Sequence, residues 1–391
     1  MKQNVIFVPG GYWQADTIKR LKKNNSINSI VIDDDQKAPG RKYSSLNIDI
    51  KSHKSEKLKL FLKKKKIKNF KVMSLYSDYG VKIKNMLLSD KNRFNYNLFL
   101  NKYLFRKKLN SIKLSNCLFT KATNINKFPN NKKLILKPII GSGSKNVEKF
   151  QSKNLLKKKL KKIEKKNFLV EEFIRGEEFA VDGFVFKKNI FFYFFAHKEK
   201  TKKSNGLVSK VYKQNKLNLE KINKIKKIIT LTLKNFNYRF GPFHAEVIIA
   251  KNKIHIVEIH PRGAGYDVAS KFIKTLTNVD LQQLEMSYLL NKDINLDNFR
   301  PKVVYNNFCI RFFPNNQSGK IKSIYFKKFK INKEVKILKK IFYKKGSIIK
   351  NSVDDSARLC YLMLFSNNKK LNLVEKSNNI LKKYFKIKYY E

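Results

Sequence analysis

The sequence is poor in cysteine, and the few cysteines present suggest neither a disulfide framework nor a zinc site. The 391 residues include only Cys117, Cys309 and Cys360, an odd number spread widely along the chain. Small domains stabilised by disulfides or by zinc instead carry closely spaced cysteines. Disulfides are also rare in reducing compartments. We therefore expect three reduced thiols and a cytoplasmic location.

Long hydrophobic runs are also missing. The most apolar candidates, residues 190–196 and 359–365, are far shorter than the roughly 20 residues that a membrane-spanning helix requires. The first eleven residues have the pattern of a strand and a turn, without the apolar core of a signal peptide. These absences predict a soluble protein that has no membrane segment.

Acidic residues are few. The chain has 29 Asp and Glu and 87 Lys and Arg, which gives a formal net charge of +58. The lysines are spread from end to end, together with abundant Asn, Ile and Phe, which is typical of a genome rich in A and T. The densest run, Lys63 to Lys66, ends a predicted amphipathic helix, and we interpret it as a solvated helix face. Nucleic-acid binding is less favoured but stays open, because clustered lysines neutralise phosphates.

Two familiar nucleotide-binding fingerprints are absent. The turn Pro9-Gly10-Gly11 lacks the Gly-x-Gly-x-x-Gly spacing, which makes dinucleotide binding a weak hypothesis. A second glycine loop follows Lys137 and comprises Gly141, Ser142, Gly143 and Ser144, but it lacks the Gly-Lys-Ser/Thr ending of a Walker loop. Backbone N–H groups in such a loop can still approach an anion closely.

Two short apolar runs further along the chain each contain one acidic residue, Glu246 or Glu258. The short polar turn between the runs predicts a hairpin, and strand alternation then puts Glu246, Glu258 and His260 on one face. Carboxylates that face each other across two strands repel unless a cation lies between them. For a single Glu, a surface carboxylate is the simpler interpretation. The pair, followed by Pro261-Arg262, favours a Mg²⁺ site.

The segment from Phe243 to Gly263 resembles the metal-binding end of ATP-grasp carboxylate–amine ligases, whose usual ending is Glu-x-Asn-Pro-Arg. The resemblance implies ATP and Mg²⁺ as cofactors, Glu246, Glu258 and His260 as metal ligands, and Arg262 as the catalytic residue. The chain departs from the family at His260, where Asn is usual. Because imidazole suits manganese or later metals better than magnesium, Mn²⁺ remains an alternative.

Other parts of the family pattern follow in order along nearly the whole chain. Asn101 to Arg106 resembles the first nucleotide-binding lysine segment, although the usual Asp is lost at Asn101. Lys137 resembles the second lysine, the glycine loop resembles the cover over the triphosphate, and Phe168 to Ile174 resembles the adenine hinge. A carboxylate is then expected at the ribose hydroxyls. The implied cofactor-binding residues are Lys102, Lys137, Gly141, Ser142, Gly143, Ser144, Glu171, Glu172, Phe173, Ile174 and Glu178.

The resemblance also implies an α/β (α+β) fold in three parts. These are a Rossmann-like N-terminal domain over residues 1–100, a two-lobed ATP-grasp domain over 101–296, and a small β-rich capping domain over 297–391. The small lobe would cover about 115–175 and the large lobe about 176–296. We expect residues 38–43 and 76–79 to line the substrate side, where strands of the N-terminal domain end. The polar segment 197–207 is a candidate lid or substrate loop.

The implied activity is similar to that of L-amino-acid ligases and of the large subunit of carbamoyl-phosphate synthetase. A small carboxylate would be activated by ATP as an acylphosphate and joined to an amine or amino acid, with release of ADP and phosphate. One alternative is an ATP-grasp enzyme with a phosphorylated product, of the kinase or carbamoyl-phosphate type. The other is a cationic nucleic-acid-binding protein with a decayed ATP site, against which the retained Lys137, Glu178 and Arg262 argue. The sequence leaves the substrates unidentified and a homodimer open.

Overall fold

The computed structural model describes residues 2–22, 27–49, 55–87, 94–115, 117–201, 208–290, 294–315, 317–330, 333–350, 354–355 and 358–390. Within these ranges the chain forms four β-sheets with helices packed against them. One sheet is parallel and the others are antiparallel, so the predicted α/β (α+β) class is confirmed.

The N-terminal part is a four-stranded parallel sheet with the order β3-β2-β1-β4. Its elements are β1 (Gln3–Phe7), α1 (Tyr12–Lys22), β2 (Ile27–Ile32), β3 (Leu46–Ile48), α2 (Ser55–Lys64), β4 (Phe70–Met73) and α3 (Asp78–Leu87). The predicted β-α-β start is confirmed, and Lys63 to Lys66 are exposed at the end of α2, as expected for a solvated face. Because β1 and β4 are parallel neighbours, the segments that follow them, 8–11 and 74–79, meet at one edge of the sheet.

A small antiparallel sheet with the order β5-β8-β6-β7 forms the next unit. Its elements are α4 (Asn97–Leu100), α5 (Lys102–Ser111), β5 (Phe119–Lys121), β6 (Leu134–Pro138), β7 (Glu148–Phe150), α6 (Lys153–Leu160) and β8 (Phe168–Glu172). Asn101 caps α5, because its side-chain oxygen accepts from Leu104 N at 3.0 Å. The cap fixes Lys102 in the first turn of the helix.

An eight-stranded sheet with the order β13-β12-β9-β10-β11-β14-β18-β16 dominates the rest of the molecule. Its first part contains β9 (Glu177–Phe186), β10 (Asn189–Lys200), β11 (Ser209–Gln214), α7 (Leu219–Asn235), β12 (Gly241–Ala250), β13 (Lys253–His260), α8 (Ile273–Thr277) and α9 (Leu281–Leu289). Helix α7 buries Ile225, Ile229 and Leu233 against one face of this sheet, and an aromatic-rich core fills the other face.

The C-terminal elements complete the large sheet and add a three-stranded one with the order β17-β15-β19. They are β14 (Asn307–Pro314), β15 (Gly319–Phe326), β16 (Lys336–Ile341), β17 (Ile348–Ile349), β18 (Arg358–Ser366), α10 (Leu373–Tyr384) and β19 (Phe385–Tyr389). Because β14 pairs with β11, one continuous sheet crosses the boundary predicted at residue 297. The domain limits themselves remain predictions.

One prediction is wrong. Residues 197–200, expected to begin a lid or substrate loop, instead continue β10 and pair with β11. These polar residues stay in the sheet because their charges are matched there, as in the 2.6 Å ion pair between Lys198 and Glu178. Residues 202–207 of the same predicted loop lie outside the described residues.

Cys117, Cys309 and Cys360 are all free thiols, and all are buried, which agrees with the absence of a disulfide framework. Across the described ranges, none of the helices combines the length and the apolar character needed to cross a bilayer.

Candidate functional site

The hairpin of β12 and β13 brings the two predicted acidic residues together. Glu246 lies directly opposite Glu258 in the register. The turn is formed by Lys251 and Asn252, whose φ angles of 46° and 61° are the left-handed values that a two-residue hairpin turn requires. Glu246 and Glu258 line the same pocket. The hairpin and its facing carboxylates are therefore as the alternation pattern predicts.

Cations surround Glu246. Lys198, from β10, forms an ion pair with it and donates to Glu178 at 2.6 Å. Lys200 donates to the same oxygen of Glu178 at 2.7 Å. Burial raises the pKa of Glu246, but Lys198, His244 and Lys200 together outweigh burial and hold that pKa well below its ordinary value. Glu246 is consequently an anion at neutral pH and a ready partner for a cation.

Glu258 has a different set of partners. His260 Nε2 lies 3.0 Å from Glu258 Oε1, and Lys102 Nζ lies 3.6 Å from Oε2. Burial raises the pKa of Glu258, yet the charges of His260 and Lys102 lower it further than burial raises it. The second ring nitrogen of His260, Nδ1, faces Asp78 at 3.1 Å. Each imidazole nitrogen therefore faces a carboxylate.

Arg262 is anchored by the N-terminal domain. Its Nε lies 2.7 Å from Asp78 Oδ1 and its terminal nitrogen lies 3.1 Å from Oδ2, a two-point ion pair. Burial raises the pKa of Asp78, but the charges of Arg262 and His260 lower it well below its ordinary value. Asp78 therefore fixes the direction of the guanidinium that was predicted to be catalytic.

A buried ion cluster supports the pocket between the two lobes. Glu171 on β8 accepts from Arg106 Nε at 2.7 Å and from Lys137 Nζ at 2.6 Å. Arg106 also donates to the carbonyls of Ile256 and Val257 in β13. Arg106 thus ties helix α5 and strand β8 to the hairpin of β12 and β13, and the Glu171 side chain lies at the centre of this cluster.

Two hydrogen bonds to backbone carbonyls hold the glycine loop in place. Lys102 Nζ donates to Gly141 O at 2.6 Å, and Asp355 N, from the C-terminal part, donates to Gly143 O at 3.1 Å. Gly143 has a φ of 67°, in the left-handed region that glycine adopts without steric cost. The loop therefore touches helix α5 on one side and the capping domain on the other.

At the predicted adenine hinge, two backbone amides already have acceptors. The N–H of Glu172 donates to Leu118 O at 3.0 Å and that of Phe173 donates to Lys133 O at 2.7 Å. Ile174 lies next in the chain and lines the same pocket. A base bound here would therefore meet Ile174 and the neighbouring carbonyls.

Most of the predicted site residues line one pocket between the small lobe and the large sheet. They are Lys102, Lys137, Gly141, Ser142, Gly143, Ser144, Glu171, Glu172, Phe173, Ile174, Glu178, Glu246 and Glu258. Arg262 lines a second pocket, which shares Ser142 with the first. His260 is buried between Asp78 and Glu258.

Sequence reasoning missed three charged residues of this region: Lys149, Lys198 and Lys200. Burial, followed by the charge of Lys198, lowers the pKa of Lys200. The alternation in β10 could have revealed the two lysines there, since Lys198 and Lys200 are two residues apart and so share a face. Asp78 belongs to the segment 76–79 that was expected to line the substrate side, but its pairing with Arg262, 184 positions away, gave no local signal.

The side chains present fit Mg²⁺, which shares its coordination shell with water and substrate, better than a metal ion whose ligands all come from the protein. Within the part of the chain that the structure describes, no group of three or more His, Cys, Asp and Glu side chains forms a complete metal site. Mg²⁺ commonly takes one or two protein carboxylates and completes its shell with water and substrate phosphates. Glu246 and Glu258 supply such a pair. As arranged, His260 acts as a charge partner of Glu258, and its role as a ligand remains a prediction.

Comparison with known proteins agrees with this geometry. Residues 130–270 match the family profile described as an ATP-grasp domain. The chain therefore contains an ATP-grasp domain, and the resemblance inferred from its motifs is confirmed. A comparison with curated proteins finds no match.

Several solved structures share the fold over almost their whole length. The L-amino acid ligase from Bacillus licheniformis is 18% identical, with a TM-score of 0.78 over 100% of this chain and 99% of that one. The phosphoribosylglycinamide synthetase from Anaerococcus prevotii is 14% identical, with a TM-score of 0.73 over 100% of both chains. The biotin carboxylase domain of the Hydrogenobacter thermophilus 2-oxoglutarate carboxylase, solved with MgADP, is 12% identical, with a TM-score of 0.66 over 100% and 92%.

Proposed function

We propose that the chain is an ATP-dependent ligase that joins a small carboxylate to an amine or amino acid and releases ADP and phosphate. One observation carries the proposal. Glu246 and Glu258 face each other in a pocket that also contains Lys102, Lys137 and the glycine loop. Such a pocket brings metal-binding carboxylates to the place where lysines and backbone amides can receive a triphosphate.

The nucleotide would lie along this pocket. Ile174 and its apolar neighbours would hold the base, and Glu178 would accept from the ribose hydroxyls. Lys102 and Lys137 would neutralise phosphate oxygens, and the missed lysines Lys149 and Lys200 line the same pocket and add charge there. When bound, Mg²⁺ at Glu246 and Glu258 would neutralise charge on the transferring phosphoryl group.

The chemical need for ATP follows from the carboxylate itself, whose oxygen is too poor a leaving group for an amine to displace. A carboxylate oxygen of the substrate attacks the γ-phosphorus, the bond to the β-γ bridging oxygen breaks, and ADP leaves. The amine then attacks the acyl carbon, phosphate departs with the C–O electron pair, and the amine loses a proton. Arg262, held by Asp78, is oriented to stabilise the oxyanion that develops between these steps.

The test is ADP release by the full-length protein with Mg²⁺, over a matrix of small carboxylates crossed with amines and amino acids. We expect release that requires both a carboxylate and an amine, with an amide as the product. The variant Glu258→Gln should lose turnover by about 100-fold or more, because even outer partners of metal ligands are worth up to that much. The variant should keep part of its affinity for nucleotide, because Lys102 and Lys137 remain.

Glu220→Gln is the matched control, because this carboxylate is exposed on α7 and pairs only with Lys224 among the ion pairs of the described residues. Absence of turnover with every pair would contradict the proposal. A phosphorylated product without amide would support the kinase or carbamoyl-phosphate alternative instead. Retention on nucleic acid that falls steeply with salt, without ADP release, would support the nucleic-acid-binding alternative. A homodimer stays a prediction, which sedimentation of the same preparation tests.

A further inference from the structure

A second cavity lies beside the nucleotide pocket, with a volume of about 700 Å³. Its walls come from three parts of the molecule. The N-terminal domain contributes the ends of β1 and β4, the ATP-grasp domain contributes Arg262 and Tyr266, and the capping domain contributes the end of β16 together with Arg358. Ser142 of the glycine loop lines both this cavity and the nucleotide pocket. Arg262 and Ser142 therefore mark the end of the cavity that adjoins the nucleotide.

The cationic side chains of the cavity already have acidic partners. Arg262 pairs with Asp78, and Lys340 Nζ lies 3.2 Å from Asp267 Oδ2. Arg358 lies 2.8 Å from Asp355 and stacks on the ring of Phe312 at 3.9 Å. Because these three cations are already paired, the wall offers less charge compensation to a ligand with several negative charges than to a singly charged acid, which needs only one cationic partner.

Aromatic side chains form much of the remaining wall. They are Tyr12, Tyr76, Tyr79, Tyr266, Phe342 and Tyr343. Tyr266 and Phe342 meet edge to face with their centroids 5.2 Å apart. Lys340 lies 5.3 Å from the Tyr12 centroid, so the N-terminal and capping domains meet across the cavity. A flat ring bound here would find both edge-to-face and stacked partners.

We propose that this cavity binds the carboxylate substrate, and that this substrate is a monocarboxylic acid carrying an aromatic ring. The inference rests on the proposed ligase function and adds a substrate class to it. The carboxylate lies at the end formed by Arg262 and Ser142, and the ring packs among the tyrosines. A phosphate-bearing acid does not fit the matched charges of the wall.

Calorimetric titration of the full-length protein tests the inference separately from turnover. With Mg²⁺ and a non-hydrolysable ATP analogue present, the probes are 3-phenylpropionate and phenylalanine, their small counterparts acetate and alanine, and the multiply charged acids succinate and 3-phosphoglycerate. We expect each aromatic acid to bind about tenfold or more tightly than its small counterpart, because the ring buries apolar surface. Equal binding of all acids, preference for a multiply charged acid, or binding of none would overturn the inference.

Variants locate the binding. Tyr343→Ser should abolish the preference for the aromatic acids. Tyr325→Ser is the matched control, because this tyrosine is 46% exposed on β15 of the same capping domain and lies away from the cavity wall. A preference that survives Tyr343→Ser and is lost in Tyr325→Ser would overturn the assignment to this cavity.

The two proposals fail in different ways. Selective binding of aromatic acids without ADP release in any pairing would contradict the ligase proposal and support the assignment of the cavity. ADP release with several small acids, combined with no aromatic preference in binding, would support the ligase proposal and overturn the aromatic one.

Discussion

Glu171 lies at the centre of the buried ion cluster beside the proposed nucleotide pocket, and it is only 3% exposed. Burial raises the pKa of its carboxyl group, but the charges of Arg106 and Lys137 outweigh burial and lower the pKa to about 2. The carboxylate therefore stays ionised in the folded protein at a pH where the unfolded chain takes up a proton. Glu171 therefore makes the free energy of unfolding depend on pH.

Glu171→Gln should remove that link. The pKa of Glu171 is lower in the folded state, so its contribution is complete above pH 4.5 and is lost as the pH falls towards 2. The shift corresponds to about 3 kcal/mol of unfolding free energy at neutral pH. Urea denaturation of both proteins should show a gap of about that size at pH 6 and a gap roughly 2 kcal/mol smaller at pH 3. A gap that does not change with pH would contradict this account.

Single residues are where sequence reasoning was least complete. Glu246 and Glu258 could be found because both lie in short apolar runs joined by a turn, which is local information. The charge partners of the site residues could not be found in this way, since Lys198 is separated from Glu246 by 48 positions and Asp78 from Arg262 by 184. In a chain with 87 basic residues, sequence gives no means of choosing which lysine is buried beside which acid.

Among the elements, strands with clear alternation were the most predictable. The hairpin of β12 and β13 follows from its periodicity and its turn, and so does the parallel start of the chain. The failure at residues 197–200 has the same origin as the missed lysines. A polar strand looks like a loop when the opposite charges that neutralise it lie on neighbouring strands.

The glycine loop between β6 and β7 contains two left-handed residues, Gly143 and Ser144, with φ angles of 67° and 59°. In Gly143→Ala the added Cβ would lie 3.4 Å from Asp355 Cβ, and a φ of 67° would be strained by roughly 1 kcal/mol. The loop should therefore leave its present position more often. We expect the affinity for ATP to fall about fivefold, measured by equilibrium titration, while the melting temperature stays nearly unchanged.

Gly265→Ala is the appropriate control for that experiment, because a Cβ at Gly265 would meet no atom within 4 Å. If both substitutions weaken ATP binding equally, the conformation of Gly143 is not the cause. If Gly143→Ala leaves ATP binding intact, the loop does not depend on glycine at position 143.

For the whole molecule, the three-part organisation could be anticipated, but the way the parts join could not. Strand pairing between β11 and β14 is a contact between residues about 100 positions apart, and no local pattern specifies it. The large sheet therefore belongs to both the ATP-grasp and the capping regions. Its core also passes from one region to the other, since Phe194, Phe272 and Phe308 pack together.

A fragment of residues 1–296 should consequently fail to fold as a stable monomer. Removal of β14 would expose the edge of β11 and the aromatic core beneath it, and exposed edges and apolar patches promote aggregation. We expect size-exclusion chromatography to show aggregates for the fragment and a defined species for the full-length chain. A monodisperse fragment with one sharp melting transition would show that the sheet can be divided at this point.

Because the three native thiols are buried, they should interfere little with the labelling of an introduced cysteine. Burial raises the pKa of Cys117 to about 11 and that of Cys309 to about 12, and it also raises the pKa of Cys360. Thiols of this kind react slowly with maleimides. A cysteine introduced at the exposed Ser142 would then be the preferred attachment point for a fluorophore. Such a reporter sits at the junction of the two cavities, so it could sense occupancy of either one before any product has been identified.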